Sequence, residues 1–199
     1  LWGGIGMFDY GHDLHGWLTC LPFDTHGSYG HAAEYSLADA LGTVFDGLLT
    51  SDDLAVRFFA NGSDACAAAV RIARAATGKL PIATQGYHGV SDSLAHPPAF
   101  SGVPFMLVDL HCRFEFGDTM TLQRMAQAAA CVMVEVPAWD DEEAIVRFLK
   151  GCRETCDRYG IPLIFDDVVL GFRLALGGTS EYYGVKPDIA CYGKAMSAT

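Results

Sequence analysis

Apolar and polar residues follow two different periodicities along this chain. Four segments place apolar residues or alanines near the 3.6-residue helical repeat and therefore predict helices: residues 31–49, 65–76, 121–130 and 140–159. The last of these segments opens on a capping-box arrangement of Asp140 and Glu143, and Gly160 ends it.

Short apolar runs separate these helical segments and predict strands: residues 55–60, 80–84, 103–108, 131–136 and 161–165. The last run has no polar alternation, as expected for a strand that is covered on both faces. Alternating strands and helices predict an α/β domain of three layers, in which helices cover a mostly parallel sheet. We expect this domain to span residues 31–199, behind loops and short strands in residues 1–30.

Composition and charge narrow the possible classes of function. The chain has 13 Lys and Arg against 24 Asp and Glu, and this charge of −11 argues against nucleic-acid binding, which needs clustered cations. No apolar stretch approaches the ~20 residues that span a membrane, so no membrane partner is expected. The seven cysteines are scattered and mostly lie in apolar runs, which favours free thiols and a cytoplasmic location. Cys152 and Cys156 have helical spacing but no second ligand pair, so we expect no metal site.

Ligands of open parallel sheets bind beyond the carboxyl ends of the strands, and two glycine-containing turns follow predicted strands. In Asn61-Gly62-Ser63-Asp64, the free N–H groups of a helix start and the Ser63 hydroxyl suit a phosphate, and a plain helix cap is the alternative. Gly86-Tyr87-His88-Gly89 offers an aromatic face and an imidazole between two glycines. Tyr87 suits stacking on a planar ligand, whereas packing on the core is its alternative.

Charged residues follow two later apolar runs. Asp166 and Asp167 are adjacent, and alternation along an extended backbone points their side chains to opposite faces. A cationic ligand nitrogen would offset the burial of one carboxylate, and an internal salt bridge, for instance to Arg173, is the alternative. Lys194 lies where its amine can attack a carbonyl and form a Schiff base, and a surface lysine is the alternative.

Together these positions supply an anion-binding turn, an aromatic face, a carboxylate for a ring nitrogen and an imine-forming amine, which describes a pyridoxal phosphate (PLP) site. Four ordered blocks resemble the class III, fold type I PLP-dependent aminotransferases, especially their glutamate-1-semialdehyde aminomutase-like branch. The blocks are RFFANGSDACAAAVRIARAATGK at residues 57–79, GYHG at 86–89, LIFDDVVLGFR at 163–173 and GGTSEYYGVKPDIACYGK at 177–194.

The resemblance implies a role for each matching residue. Lys194 matches the lysine that holds the cofactor and later moves protons, and Asp166 matches the aspartate that pairs with the pyridine nitrogen. These two residues are the expected catalytic pair. The other expected cofactor-binding residues are Val168 and Tyr87 on the two ring faces, His88 beside Tyr87, and Gly62 and Ser63 at the phosphate.

The resemblance also implies a larger protein than this chain. Family members form homodimers with active sites near the subunit interface, act on small amino and oxo compounds, and continue into a C-terminal small domain. Here the match ends five residues after Lys194 and the first residue is Leu1, so we expect a fragment of the large domain. The chain also departs from the family, with Asp167 in place of the usual Glu and a Glu-Val-Pro-Ala-Trp segment at residues 135–139 in place of Glu-Pro and a Gly-rich stretch.

Three functions therefore remain open at this stage. The first is PLP-dependent amino-group transfer, either between two substrates or, as in a mutase, within one carbon skeleton. The second is a Schiff-base lyase, such as a lysine aldolase, that uses no PLP. The third is a cofactor-binding or assembly fragment without turnover.

Overall fold

The structure, a computed structural model, describes residues 32–50, 54–95, 101–137 and 141–196. Its helices are α1 (Ala32–Val44), α2 (Gly62–Thr77), α3 (Phe105–Asp109), α4 (Thr119–Ala126), α5 (Glu142–Tyr159) and α6 (Gly178–Tyr183). Its strands are β1 (Ile82–Gln85), β2 (His111–Arg113), β3 (Val132–Val134), β4 (Leu163–Asp167) and β5 (Ile189–Tyr192). The predicted loops and strands of residues 1–30 lie outside the described residues.

The five strands form one sheet in the order β2-β1-β3-β4-β5, and every pair of neighbours is parallel. In the ladder between β4 and β5, Asp166 is opposite Cys191 and Asp167 is opposite Tyr192. Paired residues of neighbouring strands point to the same face of a sheet, so the two aspartates face opposite layers. The sheet confirms the predicted α/β class.

Helices cover both faces of the sheet and bury two separate apolar clusters. On one face the strands pack against the small side chains of α2, in a cluster that contains Cys66, Val70, Ile82, Met133, Ile164 and Cys191. On the other face the strands pack against α4 and α5, in a cluster that contains Leu122, Ile145, Phe148, Leu149, Leu163 and Phe165. This is the three-layer arrangement that the alternating pattern predicts.

Two helices next to the sheet have well-defined ends. The side chain of Asn61 caps α2 by accepting a hydrogen bond of 2.9 Å from Asp64 N, and Gly78 ends the helix in the left-handed conformation. Asp141 caps α5 by accepting a bond of 2.9 Å from Glu143 N, and Gly160 ends that helix. The predicted partner in the capping box, Asp140, lies outside the described residues.

Two predicted strands are wrong. Residues 103–108 overlap α3, which begins after Pro104 because proline favours a helix start, and β2 follows it instead. The α3 side chains of Phe105 and Met106 are exposed, so apolar character alone misled the prediction. Residues 55–60 form no strand in the described part of the chain.

The remaining elements differ from the predictions at their boundaries. Helix α1 ends at Val44, five residues before the predicted end, and β4 extends through both aspartates rather than stopping before them. None of the helices in the described ranges is long and apolar enough to cross a membrane.

Candidate active site

The side chain of Val168 brings together three segments that are far apart in sequence. It follows β4, and a Cβ atom added to Gly62 would lie 2.8 Å from Val168 Cγ1. A Cβ atom added to Gly193 would lie 3.2 Å from the same methyl group. The start of α2 and the residue before Lys194 therefore pack against one valine, and only glycine fits at Gly62 without a shift.

The two glycine-containing turns also meet. Ser63 Oγ accepts a hydrogen bond of 3.2 Å from Val90 N, and the Ser91 hydroxyl donates to Ser63 O at 3.4 Å. Gly89 has φ of 107° and lies so close that a Cβ atom added to it would be 2.2 Å from Ser63 Oγ. The loop after β1 thus packs directly on the start of α2.

Asp166 is buried and is paired with His88. His88 Nδ1 lies 2.7 Å from Asp166 Oδ2, and because a carboxylate only accepts, Nδ1 donates this hydrogen bond. Val168 N donates to Asp166 Oδ1 at 3.2 Å. The alternative of an internal partner for Asp166 is therefore met in part, because His88 takes the place suggested for Arg173.

Asp167 faces the opposite layer and holds the start of α6. Its carboxylate accepts hydrogen bonds from Thr179 N, at 2.8 Å, and from the Thr179 hydroxyl. Burial raises the pKa of Asp167 from 3.8 to about 6, although the hydrogen bonds from Thr179 lower it. The nearby charge of Asp166 adds to the rise. The prediction that the two aspartates point to opposite faces is confirmed, and Asp167 binds the start of α6.

Lys194 lies directly after β5 and begins a 3₁₀ turn that ends at Met196. Its φ of 44° is in the left-handed region, which side chains other than Gly, Asn and Asp seldom adopt. Such strain persists only where the surrounding structure holds the backbone in place, and it is often found at functional sites. The backbone at Lys194 is therefore strained, as it is at Phe172 with φ of 61°, and the Lys194 side chain is half-buried.

Glu135 also belongs to this edge of the sheet. It follows β3, and its Oε2 atom accepts a hydrogen bond of 2.9 Å from Tyr87 N. This bond joins the residue after β3 to the loop after β1. The Tyr87 side chain is 55% exposed, which contradicts the alternative that Tyr87 simply packs on the core.

The expected site residues therefore converge, but they contribute in different ways. Gly62, Ser63, Tyr87, Val168 and Lys194 lie on segments that meet at the carboxyl edge of the sheet. His88 is different, because its side chain is buried against Asp166 rather than presented beside Tyr87. Sequence reasoning missed this pairing, since residues 78 positions apart carry no local signal of contact.

The chain is similar to solved structures of transaminases, while no family model matches it. It is 28% identical to a structure described as a transaminase with PLP bound, with a TM-score of 0.71, over 84% of this chain and 42% of that one. It is also 28% identical, with a TM-score of 0.70, to the FumI protein of Sphingopyxis sp. MTA144 in its PLP internal aldimine form, over 84% and 41% of the two chains. An S-selective transaminase from Arthrobacter sp. matches at 19% identity with a TM-score of 0.68, over 91% and 47%.

The chain has the fold of these transaminases. It spans about two fifths of the length of the first two, 42% and 41%, so it corresponds to one part of such a protein. The fold prediction is thereby confirmed in its architecture.

The residues at the carboxyl edge of the sheet fit PLP. Asp166 bonds two protein groups and retains lone pairs that can accept from a protonated ring nitrogen. Gly62 keeps Cβ atoms away from the first turn of α2, where backbone N–H groups can bind phosphate. His88 Nε2 is buried and has no hydrogen-bond partner among the described residues, as in a site completed by a further polar group.

Proposed function

We propose that this chain is the cofactor-binding part of a PLP-dependent aminotransferase of the class III, fold type I family. The observation that carries the proposal is the packing of Val168 against both Gly62 and Gly193, because it unites the anion-binding turn, the carboxylate strand and the lysine. The resemblance of four sequence blocks to the glutamate-1-semialdehyde aminomutase-like branch supports the finer assignment to that branch.

Each residue at the site has a distinct part in this proposal. Lys194 would hold the cofactor covalently, and its amine, when free, would take up and return the substrate proton. Asp166 would accept a hydrogen bond from the ring nitrogen, and Gly62 and Ser63 would bind the phosphate. When bound, PLP supplies an electrophilic carbonyl for amines and a ring that withdraws electrons from the bond to be broken.

Two side chains enclose the ring in this proposal. Val168 follows β4 and provides an aliphatic surface, while the exposed ring of Tyr87 is free to stack on a planar partner. The buried histidine His88 would orient the Asp166 carboxylate rather than contact the ring. These groups follow the ends of three strands of one sheet, β1, β4 and β5, which keeps them rigid relative to one another.

The proposal that the amine returns to the same carbon skeleton, rather than passing to a second substrate, rests on the family resemblance. An assay of a candidate amino aldehyde distinguishes the two, because a transferase needs an added oxo-acid and a mutase does not. A PLP-independent Schiff-base lyase is less well supported, since it requires neither the anion-binding turn nor a carboxylate for a ring nitrogen.

We also propose a homodimer in the cytoplasm for the whole protein. The large apolar side chains of Val90, Phe105 and Met106 are 78%, 74% and 77% exposed, and contact with a second subunit would remove such apolar surface from water. The six described cysteines are free thiols, as a reducing compartment favours. Analytical ultracentrifugation of the whole protein tests the dimer directly.

The proposed function is tested by trapping the cofactor. The chain is incubated with PLP, reduced with borohydride and digested, and mass spectrometry should locate the adduct on Lys194. The variant K194A should lose the adduct, whereas K186A, which removes an exposed lysine of the same domain, should retain it. An adduct that survives in K194A, or no adduct in the native chain, would overturn the proposal.

A further inference from the structure

Glu135 contacts the loop after β1 at two points. Its Oε2 atom accepts the hydrogen bond of 2.9 Å from Tyr87 N. Its Cβ atom packs so closely on Gly86, which has φ of 102°, that an added Cβ there would lie 2.6 Å away. In addition, Glu135 N donates to Gln85 O at 3.0 Å, so backbone and side chain of Glu135 both bind the end of β1.

The same loop is held on its other side by a second carboxylate. Strand β3, which Glu135 follows, lies between β1 and β4 in the sheet. Tyr87 is bound through its N–H to Glu135, and the next residue, His88, is bound through its ring to Asp166. Two successive loop residues are therefore fixed by acidic side chains from two neighbouring strands.

The environment of Glu135 is unfavourable for the charged form of its carboxyl group. Burial raises the pKa of Glu135, and the negative charge of Asp166 raises it further. The hydrogen bond from Tyr87 N–H and the electrostatic influence of His88 and Lys194 lower this pKa. A half-buried acid in this position is unfavourable unless its hydrogen bond to the loop is made.

We propose that Glu135 is a positioning residue for the ring-stacking loop: its carboxylate oxygen fixes the backbone of Tyr87 and thereby the tyrosine ring. The inference rests on the proposed function, because the ring matters only if it stacks on a planar cofactor. Tyr87 needs such an anchor, since glycines flank the loop and more than half of its side chain has no protein packing.

Two variants separate the acceptor oxygen of Glu135 from its charge. E135Q keeps an oxygen that can accept from Tyr87 N, whereas E135A removes the oxygen. E154Q removes an exposed carboxylate of α5 and serves as the control for lost charge. For each chain, residue-resolved hydrogen exchange of the Tyr87 amide is measured without cofactor, and the PLP dissociation constant is measured by absorbance titration.

In E135A we expect the Tyr87 amide to exchange about tenfold faster and the PLP dissociation constant to rise about tenfold. Both quantities in E135Q should stay within about threefold of the native values, and E154Q should match the native chain. Unchanged exchange and affinity in E135A, or equal losses in E135Q and E135A, would overturn the proposal. Failure of the native chain to bind PLP would count against the proposed function alone, because the exchange measurement needs no cofactor.

Discussion

His88 Nδ1 donates a hydrogen bond of 2.7 Å to Asp166 Oδ2, and both side chains are almost completely buried. The bond joins the loop after β1 to the end of β4, across the intervening strand β3. A buried carboxylate without partners would be strongly unfavourable, so the histidine compensates part of the desolvation of Asp166. It also leaves the carboxylate with one orientation toward the site.

Removing the donor from His88 should weaken PLP binding. H88L deletes the bond, and we expect the PLP dissociation constant to rise ~10–100-fold, because hydrogen bonds to charged groups contribute about 1.5–3 kcal/mol. In H88N the amide nitrogen occupies roughly the place of Nδ1 and should recover at least half of that loss in free energy. Absorbance titration with PLP measures both variants, and equal affinities in H88L and the native chain would contradict this role.

The close approach of Gly89 to Ser63 can be tested against an equivalent glycine in open space. An alanine at either Gly89 (φ 107°) or Gly102 (φ 89°) adopts an unfavourable backbone conformation, and each should lose about 1 kcal/mol of unfolding free energy. Only G89A adds a clash with Ser63, which should cost ~1–3 kcal/mol more and reduce PLP affinity. Urea unfolding measures the loss of stability, and PLP titration measures the dissociation constant. Equal values of both quantities in G89A and G102A would contradict the role of the contact.

Gly62 and Val168 should be energetically coupled. A Cβ at Gly62 would lie 2.8 and 2.9 Å from the two Val168 methyl groups, so G62A should destabilise the chain by ~1–3 kcal/mol. V168A removes those methyl groups and makes space for the new Cβ. In a double-mutant cycle followed by urea unfolding, we therefore expect G62A/V168A to be more stable than the sum of the single changes by about 1 kcal/mol. Strict additivity would show that the two residues do not pack as described.

The buried acid Asp167 should make stability depend on pH in an unusual direction. Its pKa is about 6 in the folded chain against an ordinary 3.8, so the folded state binds the proton more tightly. The contribution of Asp167 to stability is therefore complete below about pH 4 and is lost as pH rises through 6. In D167N the amide side chain is neutral at every pH, and its oxygen can still accept the hydrogen bond from Thr179 N.

The measurement is the difference in unfolding free energy between D167N and the native chain. It should shift in favour of D167N by up to about 3 kcal/mol between pH 4 and pH 7, because each pKa unit corresponds to 1.36 kcal/mol. Parallel stability curves for the two chains across this range would show that Asp167 titrates at its ordinary pKa.

The sequence predicted the layers of the fold better than the connections between them. Buried runs such as residues 131–136 and 161–165 were recognised because strands covered on both faces need continuous apolar residues. The error at residues 103–108 arose because a short apolar run also fits a helix when Pro104 precedes it. Apolar character does not reveal that Phe105 and Met106 stay exposed.

The candidate site was likewise predicted as a set of residues but not as a set of contacts. Alternation along a strand is a local rule, so it correctly assigned Asp166 and Asp167 to opposite faces. The bonds of His88 to Asp166 and of Glu135 to Tyr87 join residues 78 and 48 positions apart. Such contacts depend on strand order, which periodicity does not determine.

The register of the parallel ladder between β4 and β5 determines which aspartate faces the layer of α2, where the cofactor site is proposed. Asp166 is aligned with Cys191 and Asp167 with Tyr192. Deleting one residue from the turn before β4 would favour a slip that exchanges the two aspartates between the layers. The carboxylate that binds Thr179 would then face α2, and the one that binds His88 would face α6. A length change far from any ligand could thus abolish cofactor binding while every functional side chain remained in the sequence.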